Sequence, residues 1–130
     1  MKRRTSVTLA CLVVVAAGGA LAIGLMGSHS AADNCTSVHG VTHHVAIKNS
    51  RASDELVTGK RCDKLTITNE DAIAREVAFG LHEDHVPYDG VAERVLSKGQ
   101  SLTVTLNQTG NFRWHDHLHD EVEGRFTVHS

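Results

Sequence analysis

The chain is short of several things, and each shortage excludes something. It has 130 residues, too few for two full cores, so it holds one folded domain at most. It has one proline, and its glycines show no collagen period. It has no excess of positive charge: 13 Lys and Arg against 15 Asp and Glu leave a formal net charge of −2. That balance argues against a nucleic-acid partner. Charged residues are also too few, beside 41% hydrophobic ones, for a disordered acidic tail. No G-x-S-x-G elbow, H-E-x-x-H helix or phosphate-cradling glycine loop is present, so nothing points to an enzyme. Only five aromatic residues occur: Phe79, Tyr88, Phe112, Trp114 and Phe126. All lie in the second half, which places the anchor of the core there. What the chain does have, out of proportion, is ten histidines.

The N-terminal segment stands apart from the rest. Met1-Lys2-Arg3-Arg4 is basic, and no charged residue follows from Thr5 to Ser28. The apolar stretch Thr8 to Met26 is long enough to span a bilayer as one hydrophobic helix. Ser30-Ala31-Ala32 also offers a small-residue cleavage site. Residues 1–32 therefore read as either a signal peptide or an N-terminal membrane anchor. In both readings the basic end stays in the cytoplasm and the remainder is exported. Without the three basic residues of that segment, the formal charge of the remainder falls from −2 to −5. Two cysteines remain there, Cys35 and Cys62, and in an oxidising compartment an even pair reads as a disulfide.

Residues 33–42 are polar and small and read as a linker, leaving 43–130 as the domain. Period-2 alternation marks strands at His44–Lys48, Lys64–Asn69, Glu76–Phe79, Ser101–Asn107, Asn111–His117 and Arg125–His129. Glu93–Leu96 makes a short one, and Leu56-Val57 another inside a polar loop. No helix pattern follows the N-terminal run. About seven short strands at 8–12-residue spacing argue for an all-β, Greek-key β-sandwich or barrel.

The last third carries a family pattern. Leu96-x-x-Gly99, Gly110-x-Phe112-x-Trp114 and Gly124-x-Phe126-x-Val128, with Thr66 to Asp71 upstream, resemble the cupredoxins. The resemblance covers roughly residues 43–130. It implies a small exported β-sandwich holding type 1 copper through two His, a Cys and usually a Met. Aligned on those motifs, the ligand positions fall on Arg75, Asp116, His119 and Val122. Only His119 matches, and no cysteine follows Cys62. Blue copper needs a thiolate, so an ordinary type 1 centre is excluded. Arg75 and Asp116 are then expected to form a charge-assisted pair that closes the old position. Alternation puts Asp116 inward beside Trp114, where a buried carboxylate needs a partner.

The remaining chemistry lies in the histidines. His115 and His117 point to one side of a strand, and His119 follows where the chain should leave it. His82 and His85 sit in the loop after Phe79. Loops cluster at the ends of a sandwich, so the two groups have a way to meet. Imidazole suits copper(II), with zinc as the alternative. Asp116 is expected to orient one of these imidazoles. His29, His39, His43, His44 and His129 read as ordinary surface residues. The carboxylates Glu83, Asp84, Asp120, Glu121 and Glu123 read mostly as a solvated loop.

The expectation is an exported cupredoxin-like protein that binds a metal ion, copper(II) first, for handling, storage or delivery. The alternatives are a metal-free module that docks an envelope protein, and a non-blue copper electron carrier. A membrane is a partner only through an uncleaved N-terminal segment.

Overall fold

A computed structural model of the protein describes residues 35–37 and 39–130. The expected N-terminal helix, whether signal peptide or anchor, lies outside the described residues. Among the described residues no helix is long and apolar enough to cross a membrane.

A 3₁₀ turn at Cys35–Ser37 is followed by ten strands. They are β1 Thr42–Lys48, β2 Arg51–Ala52, β3 Leu56–Lys60, β4 Lys64–Asn69 and β5 Arg75–Leu81. Then come β6 Asp84–His85, β7 Glu93–Leu96, β8 Ser101–Thr105, β9 Gly110–Asp116 and β10 His119–His129. One sheet runs β2-β1-β4-β8. The other runs β3-β10-β9-β5-β6, with β7 also paired to β5. The chain passes repeatedly between the two sheets, and β1–β4 and β3–β10 pair in parallel. This is the expected all-β sandwich, built from more strands than expected.

The surplus strands have a common cause. β2 and β6 are two residues long, below the length at which alternation can be read. β3 runs through Gly59 and Lys60 as well as the expected Leu56-Val57, because five of its residues pair with β10. β10 begins at His119 rather than Arg125. Its first residues are His-Asp-Glu and look like loop, yet they pair back on β9 around a bulge between His119 and Glu123. β1 starts at Thr42, inside the expected linker, because Thr42 to His44 pair with Lys64 to Thr66.

The inner faces bury the alternating apolar residues. Val45, Ile47, Leu65, Ile67, Leu102 and Val104 come from the first sheet, and Val57, Val77, Phe79, Trp114, Phe126 and Val128 from the second. Trp114 is the largest fully buried side chain. The other four aromatics pack together in the same core, mostly edge to face: Tyr88 lies 4.7 Å from Phe112 and 5.0 Å from Phe126, and Phe79 lies 6.2 Å from Phe126. Such pairs add about 0.5–1.5 kcal/mol each beyond the area they bury. Cys35 and Cys62 form a disulfide that ties the turn before β1 to the end of β3. Closing its 27-residue separation stabilises by about 3–4 kcal/mol on the chain-entropy account.

Candidate metal centre

The position that the resemblance gives to copper is filled by protein. Arg75 opens β5 and is 1% exposed; Asp116 closes β9 and is 0% exposed. The Arg75 Nη1 donates to Asp116 Oδ2 at 3.0 Å. Its Nη2 donates to Ser50 Oγ at 2.8 Å and to Asp71. Asp116 Oδ1 also accepts from the backbone N–H groups of Glu76 and Leu118, at 3.0 and 3.1 Å. Val122 is fully buried. Burial works against ionisation here. The hydrogen bonds from Ser50, Arg75 and Asn49 outweigh it and hold the Asp71 carboxyl below its usual range. For Arg75 burial is likewise outweighed, and its two carboxylate partners hold the guanidinium charged.

Two tight hairpins carry the histidines. The β5–β6 turn is His82-Glu83 and the β9–β10 turn is His117-Leu118. His115, His117 and His119 therefore do not share one strand: the first is the next-to-last residue of β9, the second is in the turn, the third begins β10. The turn sends them apart. His119 Nδ1 lies 3.1 Å from Asp116 Oδ2, in the ion-paired network. Asp116 does orient an imidazole, but it is His119, outside the cluster. This corrects the expectation that His119 belongs with His115 and His117 at one site.

His82 and His85 take the place expected of His119. Gly80, with φ +94°, turns the chain at the end of β5, and the hairpin beyond it folds against the outward side of β9. The His82 ring stacks on His117 at 4.5 Å and lies 5.5 Å from His115. The His85 ring lies 5.3 Å from His115 and 4.7 Å from His117. His85 Nε2 and His117 Nδ1 are 3.1 Å apart. One ligand atom from each of His82, His115 and His117 falls within 4.8 Å of the others.

His115 decides what the cluster can do. It faces away from the core, opposite Trp114 and Asp116, yet it is only 5% exposed because the hairpin covers it. Its Nε2 is buried with no hydrogen-bond partner. Burial comes first among the causes that lower its pKa; the neighbouring charges of His85, His82 and His117 add to it, against a raising backbone hydrogen bond to Gly80. His115 thus stays neutral, with its lone pair available, at neutral pH. A set of imidazoles that runs from exposed His82 to buried His115, whose Nε2 is unpaired, fits a borderline divalent ion such as copper(II) or zinc.

Two carboxylates also touch the cluster. His82 Nδ1 lies 2.9 Å from Asp120 Oδ1, and His85 Nδ1 lies 3.2 Å from Glu93 Oε2. Neither role was legible in the chain. Glu93 reads as a strand residue and Asp120 as one of a solvated run, and only strand pairing brings them to the histidines. His43 meets Asp63 at 3.0 Å, far from this site in the fold's other sheet.

No protein-family model matches the chain, and no curated protein matches it. Solved structures do. A reduced tryptophan-to-tyrosine mutant of amicyanin matches with a TM-score of 0.57 at 19% identity, over 72% of this chain and 88% of that one. The Cu(I) form of a methionine-to-alanine mutant of amicyanin gives 0.57 at 21%, over 72% and 88%. Amicyanin from Paracoccus versutus gives 0.57 at 20%, over 72% and 87%. Likeness at this identity defines the fold, and the fold is cupredoxin-like. The chain carries that fold with an ion-paired network at the expected copper position and a group of imidazoles elsewhere.

Proposed function

We propose that the protein binds one divalent metal ion, copper(II) first and zinc as the alternative, at His82, His85, His115 and His117. The observation that carries this reading is the convergence of His82, His115 and His117 from two hairpins, with the His85 ring beside them and the buried Nε2 of His115 unpartnered. The ion would supply a Lewis-acidic centre. The chain would supply the imidazoles, with His115 covered by the β5–β6 hairpin. The role is handling, storage or delivery, without a catalytic step. The Cys35–Cys62 disulfide and the basic-then-apolar N-terminus support a place outside the cytoplasm. The copper preference leans on the fold's likeness to amicyanin, which has been described in a Cu(I) form, and on the imidazole donor set.

Calorimetric titration of Cu(II) and Zn(II) into the purified chain at pH 7.4 tests the reading. Submicromolar binding is expected, lost by a factor of at least 100 in a His115→Ala, His117→Ala double variant and kept in His119→Ala. Affinity should fall as pH drops through about 6.5, where imidazole protonates. Binding no tighter than about 0.1 mM on the affinity scale, or binding unchanged by the double variant, would overturn it. The second reading, a metal-free module that docks an envelope protein, would then stand. It is favoured by the Arg75–Asp116 network, which closes the old copper position without any metal. If copper binds, reversible reduction of its EPR signal by ascorbate would separate a non-blue electron carrier from a binding protein.

A further inference from the structure

The four imidazoles each have two ring nitrogens, and a metal takes only one. Which one faces the ion is decided by what the other nitrogen does. For His82 and His85 the structure supplies a holder in each case. Asp120 Oδ1 is 2.9 Å from His82 Nδ1, and Glu93 Oε2 is 3.2 Å from His85 Nδ1. Neither contact has the alignment of a hydrogen bond, yet a carboxylate oxygen this close repels a ring lone pair, so it favours the proton on each Nδ1. The lone pair of a neutral ring is then on Nε2. His85 Nε2 points at His117, 3.1 Å from its Nδ1, and so faces into the cluster.

We infer that Glu93 and Asp120 are the positioning residues of this metal site. They fix His85 and His82 as Nδ1–H tautomers and aim their Nε2 atoms inward. This rests on the metal reading for its purpose but not for its geometry. The two carboxylates come from different places. Glu93 opens β7, which pairs with β5 on the side away from β9. Asp120 is the second residue of β10. Each reaches the β5–β6 hairpin from a separate strand, so together they pin that hairpin over His115 from two directions. The inward carboxylate Asp116 has no share in this, since it holds His119.

The experiment compares the wild-type chain with Glu93→Gln, Asp120→Asn and the double variant. Gln and Asn keep the shape and can donate as well as accept, so they no longer dictate the tautomer. Long-range proton–nitrogen correlation spectra of the metal-free protein read the tautomers directly. His82 and His85 should be Nδ1–H in the wild type, and mixed in the double variant. Zn(II) affinity should fall about 10- to 100-fold in the double variant. It should be kept in Asp120→Glu and in Glu93→Asp, since each retains a carboxylate. Melting temperature without metal separates this from a folding defect and should stay within a few degrees. Wild-type Nε2–H tautomers at His82 and His85, or Zn(II) affinity unchanged in the double variant, would overturn the inference. Absence of Zn(II) binding in the wild type would sink the metal reading instead, while the tautomer spectra still decide this one.

Discussion

Arg75 sits where a metal-binding imidazole is expected from the resemblance, and it changes what that end of the sandwich can be. Its guanidinium lies between two carboxylates and a hydroxyl, all at hydrogen-bond distance. Such a buried pair is weak evidence for extra stability, but removing one partner is costly. Arg75→Met would leave Asp116, fully buried, and Asp71, partly buried, without their cation, and should cost about 3–5 kcal/mol in urea unfolding. A change below 1 kcal/mol would show that the network is already hydrated. At this scale the chain was readable. The pairing of Arg75 with Asp116 follows from the resemblance, which puts both at one position, and from the alternation that turns Asp116 inward. The parting of His119 from His115 and His117 does not. It depends on a two-residue turn that a run of His, Asp and Glu does not announce.

Among the elements, the β5–β6 hairpin governs the candidate site. Gly80 makes it possible. Its φ of +94° suits glycine alone, and a Cβ there would come within 2.6 Å of Asp84 O and Val86 N, both backbone atoms that cannot give way. Gly80→Ala should therefore displace the hairpin that carries His82 and His85. The expected result is loss of metal affinity by more than 10-fold, with the cooperative unfolding of the sandwich retained. Metal titration followed by a urea melt of the same sample checks both halves. Equal loss of binding and of folding would mean the hairpin belongs to the core. The hairpin was half legible: the turn residues and the two histidines could be read, but β6 is too short for its pairing to show. The long β10 was missed for a related reason. Its first three residues are polar on both faces, and only a partner strand makes them a strand.

On the scale of the whole molecule, ionised carboxylates join parts of the fold that are distant in sequence. Asp71 follows β4 of one sheet and holds Asn49 and Ser50 of the β1–β2 turn, while its partner Arg75 begins a strand of the other. Asp63 accepts from Val41, His43 and Lys60, near the disulfide. Burial opposes its charge too, but these bonds outweigh it and keep its carboxyl below the ordinary range. Carboxyls held low in the folded chain take up protons first in the unfolded one, at about pH 4. Their stabilisation is complete above that pH and is lost as pH falls through the folded-state values. His115, held below the ordinary histidine value, has the same sign in a higher window: its contribution is complete above about pH 6.5 and declines below. Urea unfolding followed by Trp114 fluorescence across pH 3–8 should show both declines in the metal-free protein. His115→Gln should remove the upper one and Asp71→Asn part of the lower. A flat profile in the wild type would contradict both assignments.

The chain's order of residues determined what could be determined locally. Period-2 alternation gave the principal strands and their inward faces, because a half-buried sheet needs it. The lack of a thiolate after Cys62 ruled out a blue-copper centre, because no other residue replaces that ligand. The even pair Cys35 and Cys62, once read as exported, gave the disulfide. The tertiary structure decided which histidines share a place. Ligand groups meet across hairpins and between strands that pair at long range, and those distances are set by register and by bends such as Gly80. So His85 joined His82, His115 and His117, His119 left for Asp116, and Glu93 and Asp120 arrived beside rings eight and 38 residues away from them in sequence.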